Sequence, residues 1–259
     1  MNKLDETEFL NKIHSKTDLS DYIKVIFHDR KIGPLDFFSL ANHCSKVTQT
    51  KIPNFKAFRR FERLWMLLSF ELYALRNVDG PMIECGVYRG FSALAINILM
   101  NVVKDSEGSG LKNFWLLDSY EGLSEPVEQD FIDHKSQDRS IIKKSPMRQG
   151  HFATPLEEVK KHFLDAQNIK FIKGWIPEAF TILPEEEWSF VHIDVDLYKP
   201  IQDSLEYFYP RMRKGGVIIN DDFGSALFPG AGMAWSEFFE KKNEGYAILD
   251  TGQAVFIKK

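Results

Sequence analysis

The sequence predicts an α/β fold: a doubly wound, seven-stranded, mainly parallel sheet with a C-terminal antiparallel hairpin, preceded by an N-terminal helical region. Three observations predict it. From Met82 onward, short apolar runs alternate with stretches of helical period, the rhythm of parallel strands joined by crossover helices. The chain ends in two strand-like runs joined by Asp250-Thr251-Gly252-Gln253, a turn that sends the last strand back antiparallel. Acids and glycines stand just after the apolar runs, where an open sheet of this kind places its ligands.

Residues 1–60 are of mixed polarity and read as a helical or irregular cap region, broken by Pro34 and Pro53. From Phe61, FERLWMLLSFELYALRN repeats apolar residues every three or four positions, a strong helix ended by Asp79-Gly80-Pro81. Met82–Cys85 is a short buried strand, and a helix follows over about Gly90–Val103. Phe114–Asp118 is the second strand. The stretch from Glu121 to Phe152 is polar and lacks a period. Thr154 as N-cap, Pro155 in first position and Glu157 mark a helix to Asp165. Strands follow at Ile169–Lys173 and Trp188–Asp194, then a helix over Ile201–Met212. Gly215-Gly216 reads as a turn into the strand Val217–Asn220. Phe228-Pro229-Gly230-Ala231-Gly232 reads as a mobile loop feeding a helix over Ala231–Lys242, and Tyr246–Leu249 and Ala254–Lys258 form the hairpin. The sheet-bearing domain is thus expected over residues 61–259.

Composition narrows the function. With 259 residues, 44% hydrophobic and 27% charged, the chain can bury a sizeable single core. A net charge of −4 lacks the basic footprint of a nucleic-acid binder. Two cysteines, Cys44 and Cys85, are too few for a disulfide framework. The N-terminal stretch lacks the apolar run of a signal peptide, and no segment approaches the ~20 apolar residues of a membrane span. A cytoplasmic protein without nucleic-acid or membrane partners is expected.

The strand ends carry the chemistry. The first runs into Glu84-Cys85-Gly86-Val87-Tyr88-Arg89-Gly90. Glycines there let a ligand approach the backbone at a helix N-terminus, although a tight packing turn leaves the same pattern. An acid beside the loop suits a ligand with a free ammonium group and repels a pyrophosphate. Asp118, at the end of the second strand, is placed to accept hydrogen bonds from ribose hydroxyls or to cap a turn. Trp175, after Gly174, would wall a ligand ring or belong to the core. The fourth and fifth strands end in His192-Ile193-Asp194-Val195-Asp196 and Asn220-Asp221-Asp222. If these strands are neighbours, Asp194, Asp196, Asp221 and Asp222 converge, and their mutual repulsion calls for a cation. Oxygen-only ligands favour Mg²⁺ or Ca²⁺ over zinc. His192, deeper in its strand, reads as a structural histidine.

ECGVYRG, LLDSYEGL, GHFATPLEEVKKHF, FIKGW, HIDVDLYKP and GGVIINDDFG stand in an order that resembles the macrocin O-methyltransferase-like enzymes. These are class I, Rossmann-like, S-adenosylmethionine-dependent methyltransferases of sugar hydroxyls in antibiotic pathways. The resemblance runs from about Phe61 to the C-terminus, and the DxD and DD pairs with LYxP are its specific part. It implies metal ligation by Asp194, Asp221 and Asp222, with Asp196 as general base. It implies that Glu84, Gly86 and Gly90 hold the methionine end of the donor and Asp118 its ribose. The full donor-binding set expected is Glu84, Gly86, Tyr88, Gly90, Ser92, Asp118, Ser119, Gly122, Gly174, Trp175 and Asp194. Residues from Glu121 to Phe152 match a lid. The cofactors implied are S-adenosylmethionine and Mg²⁺, and the acceptor is a small molecule, a sugar hydroxyl. A homodimer or higher homo-oligomer is a further expectation from the family.

Two other readings compete: a metal-dependent hydrolase using the aspartate cluster, and an O-methyltransferase of a catechol or other phenol. A nicotinamide oxidoreductase is disfavoured by Glu84, by the glycine spacing and by the aspartates. A non-catalytic donor-binding protein would not require four converging carboxylates.

Overall fold

A computed structural model describes residues 30–50, 54–108, 110–131 and 147–259. The cap region holds a two-stranded hairpin that the sequence pattern did not predict, β1 (Lys31–Ile32) and β2 (Leu35–Asp36), turned at Gly33-Pro34. Helix α1 (Phe37–Val47) follows, its N-terminus capped by Asp36, which accepts from the Ser39 N–H at 2.8 Å. Helix α2 (Asn54–Asn77) begins directly after Pro53, seven residues before the expected Phe61. Its last turn is closed by Lys112 Nζ, which donates to the Ala74 carbonyl at 3.0 Å and to that of Val78. The expectation of helical structure over residues 1–29 and 51–53 lies outside the described residues.

The main sheet has seven strands: β3 (Met82–Cys85), β4 (Phe114–Asp118), β5 (Ile169–Lys173), β6 (Trp188–Ile193), β7 (Met212–Asn220), β8 (Ala247–Ile248) and β9 (Ala254–Ile257). Their order across the sheet is β5-β4-β3-β6-β7-β9-β8. The first five run parallel, while β9 pairs antiparallel with both β7 and β8. The chain winds outward from β3 to β5 and then returns to place β6 against the other side of β3. That reversal makes a crevice between β3 and β6 at the carboxyl ends of the strands.

Helices α1, α2 and α3 (Phe91–Glu107) cover one face of the sheet, with Phe37, Leu68, Leu99 and Phe114 in one buried cluster. A short helix, α4 (Leu156–Lys160), precedes β5. Helices α5 (Tyr198–Phe208) and α6 (Pro229–Lys242) cover the other face, around Trp188, Trp235, Phe208 and Phe256. Strands β3 and β6 are buried along their whole length, as two-sided coverage demands.

Other element boundaries differ from the expectation as well: α5 spans Tyr198–Phe208 rather than Ile201–Met212, and three more differences change the local geometry. Thr154 does not cap: Pro155 keeps an extended ψ of 134°, so α4 starts only at Leu156 and is continued by a 3₁₀ turn over Lys161–Phe163. Gly215-Gly216 is no turn before a strand but a bulge inside β7. Trp188 pairs with Met212 and Phe190 with Val217, so two steps along β6 face five along β7. Gly215 absorbs the extra residues at φ +80°. Helix α6 starts at Pro229, so the expected loop ends at Phe228.

Candidate active site

A cavity of about 740 Å³ opens at the crevice between the ends of β3 and β6. Every strand from β3 to β7 contributes the residues that follow it. Of the expected donor-binding set, Gly86, Tyr88, Ser92, Asp118, Ser119, Gly122, Gly174, Trp175 and Asp194 line it. Asp196, Asp221 and Asp222 line it as well. Glu84 and Gly90 are the two that do not. Gly90 begins α3 and packs against Val159 and Phe163. Glu84 is buried beneath the wall, where it accepts from Ser92 Oγ and lies 3.2 Å from His192 Nδ1.

The glycine loop serves the protein before any ligand. Gly86 has φ +88°, and a Cβ on it would lie 1.9 Å from the Asp194 carbonyl oxygen. The missing side chain therefore lets the ends of β3 and β6 meet. Asp118 ties the same loop down. Its Oδ2 accepts from the N–H groups of Val87 at 2.6 Å and Tyr88 at 3.0 Å, and its Oδ1 from Tyr120 at 2.6 Å. Asp118 is thus both a turn acceptor and part of the wall.

The stretch from Glu121 to Phe152, which has no period in the sequence, is described at its two ends. Leu123 N–H donates to the His151 carbonyl at 2.8 Å, and Gly150 N–H to that of Leu123 at 2.9 Å, so the ends clasp each other. Leu123, Ser124 and Phe152 bring this clasp to the cavity, and the Phe152 ring meets Tyr88 edge-on at 5.5 Å. Residues 132–146, the middle of the expected lid, lie outside the described residues.

The aspartates do converge. Ligand atoms of Asp194, Asp196 and Asp222 lie within 4.8 Å of one another, and so do those of His192, Asp194 and Asp221. The expected triad of Asp194, Asp221 and Asp222 spans both groups. Strand β6 stops at Ile193, one residue before the expected Asp194, and Asp196 beyond it adopts φ +62°. Aspartate tolerates this left-handed conformation better than most residues. Burial and the charges of Asp221 and Asp222 push the Asp194 carboxyl well above the usual carboxylate range. Burial, Asp222 and Asp194 do the same to Asp196. Burial acts in the same sense on Asp221, but Arg63, His192 and Gln253 outweigh it and hold that carboxyl low. For His192, burial favours the neutral ring, yet Asp221 and Glu84 override it and push the pKa up to about 10. His192 Nε2 stands 3.6 Å from Asp221 Oδ1, so the histidine lies between two acids beneath the site.

Two residues escape a search confined to the positions after strands. Arg63, inside α2, sets its Nη2 against Asp221 Oδ2 and 3.1 Å from Asp222 Oδ1. Gln253, in the hairpin turn, donates from Nε2 to Asp221 Oδ1 at 2.7 Å. The acid cluster announces the need for a cation, but no local pattern says that a helix far along the chain supplies one.

Residues 59–257 match the family model of the macrocin O-methyltransferases (TylF). The chain belongs to this family. Among curated members of similar sequence, the 8-demethyl-8-(2,3-dimethoxy-α-L-rhamnosyl)-tetracenomycin-C 4'-O-methyltransferase of Streptomyces olivaceus is 32% identical over 152 residues, 57% of this chain and 54% of its own length. The demethyldecarbamoylnovobiocin O-methyltransferase of Streptomyces niveus is 29% identical over 152 residues, with the same shares. The chain spans about half the length of these curated relatives. The solved O-methyltransferase NovP shares the fold at a TM-score of 0.64 and 20% identity, covering 93% of this chain and 100% of its own. CalS11, a calicheamicin methyltransferase, does so at 0.60 and 18%, covering 99% of each chain.

In this macrocin O-methyltransferase family member, the chemistry of the acid cluster is compatible with a hard divalent cation. Asp222 Oδ2 is buried without a hydrogen-bond partner among the described residues, and the aspartate donors are all hard oxygens, which suits Mg²⁺. Glu84 Oε2 is also buried without a partner there, an acceptor left over beneath the glycine loop. No helix among the described residues is long and apolar enough to cross a membrane.

Proposed function

We propose that this chain transfers the methyl group of S-adenosylmethionine to a sugar hydroxyl of a glycosylated natural product, with Mg²⁺ as cofactor. The observation that carries the reading is the convergence of Asp194, Asp196, Asp221 and Asp222 on one cavity in a member of this family. The names of the relatives support the acceptor class: a rhamnosyl-tetracenomycin, a novobiocin precursor and, at 25% identity, mycinamicin III.

An aliphatic hydroxyl is a poor nucleophile because its proton is held almost as tightly as that of water. A hard divalent cation supplies positive charge that lowers this barrier. Asp194, Asp221 and Asp222 would hold the ion. The carboxylate of Asp196 would take the hydroxyl proton as the acceptor oxygen bonds the methyl group and the methyl–sulfur bond of the donor breaks, releasing S-adenosylhomocysteine. A divalent cation beside Asp196 would favour its ionised form, the form a base needs. Gly86, Tyr88 and Ser92, with Glu84 behind them, would seat the methionine end of the donor; Asp118 and Ser119 would meet the ribose, and Gly122, Gly174 and Trp175 would complete the wall. The clasped ends of the Glu121–Phe152 stretch would close over the donor and exclude water. The same reading divides the chain into a cap region over residues 1–60 and a catalytic domain over 61–259, and makes the enzyme a cytoplasmic homodimer or higher homo-oligomer.

Isothermal titration with S-adenosylmethionine, before and after EDTA treatment, tests the donor, and methyl transfer to glycosylated acceptors tests the rest. Micromolar donor binding with Mg²⁺-dependent turnover is expected. Failure to bind the donor in either state would sink the reading and bring the hydrolase forward.

A further inference from the structure

We propose that Arg63 is a positioning residue that competes with the divalent cation for the carboxylates of Asp221 and Asp222, and so sets how tightly the cation is held. The proposal rests on the Mg²⁺-dependent reading above.

The geometry concerns shared oxygens. Arg63 Nη2 faces three acceptors at once: Asp221 Oδ2, the Asp221 main-chain carbonyl and Asp222 Oδ1, the last at 3.1 Å. Carboxylate and carbonyl oxygens are also what Mg²⁺ seeks. Asp221 has little to spare elsewhere. Its Oδ1 accepts from Gln253 Nε2 at 2.7 Å and stands 3.6 Å from His192 Nε2. Its Oδ2 already carries Arg63 and its Oδ1 one hydrogen bond, so a cation that takes Oδ2 must share it with the guanidinium. Asp222 divides its oxygens differently: Oδ1 faces Arg63, while Oδ2 is buried without a hydrogen-bond partner among the described residues. Together with Asp194, Asp222 can therefore meet a cation while Arg63 stays in place. A cation that reaches Asp221 Oδ2 displaces the guanidinium, because two positive charges on the same oxygen repel.

Departure is feasible for the side chain alone. Arg63 is 29% exposed, and its Nε has no hydrogen-bond partner among the described residues. The main chain of α2 stays tied at this point, because Gln253 Nε2 also donates to the Arg63 carbonyl at 3.3 Å. A swing of the guanidinium thus exchanges one cation for another without undocking the helix. Arg63 keeps Asp221 and Asp222 aimed until the divalent ion takes them.

The experiment is Mg²⁺ titration calorimetry on the EDTA-treated full chain, comparing wild type with R63Q and R60Q. Arg60 lines the same cavity and is exposed, so R60Q removes a charge without removing the shared contacts. Competition predicts that R63Q binds Mg²⁺ about tenfold or more tightly than wild type, and that R60Q differs by about twofold at most. Binding in R63Q but none in wild type supports the competition equally. Equal tightening in both variants would reduce the effect to a general field and overturn the proposal, as would equal or weaker binding in R63Q, while leaving the Mg²⁺ reading intact. No binding in any form removes the Mg²⁺ reading and the proposal together. Should R63Q fail to fold, R63K decides: it keeps the charge but loses the planar fork, so about threefold tighter binding is expected, and unchanged or weaker binding overturns the proposal.

Discussion

Asp196 and Glu71 show how a single carboxyl takes different roles from its surroundings. Asp196 sits at φ +62° on the cavity wall, close to two other acids, and is the proposed base. In D196N the turnover should fall by about 10²–10⁴-fold, the usual worth of a general base. Calorimetry should still find donor affinity within a few-fold of wild type; wild-type turnover in that variant would end the assignment. Glu71, on α2, is fully buried, and neither oxygen has a hydrogen-bond partner among the described residues. Burial, and then the nearby Glu84, raise its pKa well above the ordinary glutamate value of 4.5. The group is therefore protonated in the fold, and ionises near 4.5 in the unfolded chain. Its contribution favours the fold at acid pH and turns against it as pH rises above that value. Glu71→Met should stabilise the protein at pH 8 by about 1–3 kcal/mol, the penalty of an unsatisfied buried group. Denaturant melts at several pH values check this, and the gain should shrink as the pH falls toward 4.5.

Helix α2 brings the N-terminal part of the chain to the site, together with Thr50 just before it. One stretch of it carries Arg63, Leu64 and Leu67 to the cavity, while Trp65 turns to meet Phe37 of α1 edge-on at 5.1 Å. Phe37 also meets Phe61 at 6.2 Å and is fully buried. The described part of residues 1–60 is thereby packed onto the same core as α2 and α3. Phe37→Ala should cost about 3–5 kcal/mol, as large-to-small changes of buried phenylalanine do. A loss below about 1 kcal/mol in thermal or urea unfolding would show that α1 is an appendage rather than part of the core.

Across the whole molecule, the reversal of winding between β3 and β6 sets the cavity where it is. Seven strands in this order bring the ends of β3, β4, β5, β6 and β7 to one side, and both helical layers hold them there. A ligand in that crevice touches several elements at once, so it should stabilise all of them together. S-adenosylhomocysteine at about a hundred times its dissociation constant should add about 2.7 kcal/mol by mass action. For a chain of this size that corresponds to a rise in melting temperature of roughly 5–10 °C. Adding Mg²⁺ should raise it further, and scanning calorimetry that found no shift with either would contradict the proposed donor and ion sites.

Much of this was legible in the order of the residues, for a physical reason: periodicity and turn chemistry are local. Strands β3, β4 and β5 begin and end where the apolar runs do, and Asp250 to Gln253 form the expected turn of the hairpin. The acids and glycines after the strands were legible too, because an open parallel sheet places its ligands there. Long-range contacts have no such signature. That Gly86 is needed for the Asp194 carbonyl, that Gly215 is absorbed in a bulge, and that Pro155 stays outside its helix follow from neighbours brought close by folding. The same holds for charge. Four aspartates in the sequence announced that a cation was needed, but the partner that meets Asp221 and Asp222 is Arg63, 158 positions before Asp221, and packing of α2 against the sheet is what carries it there.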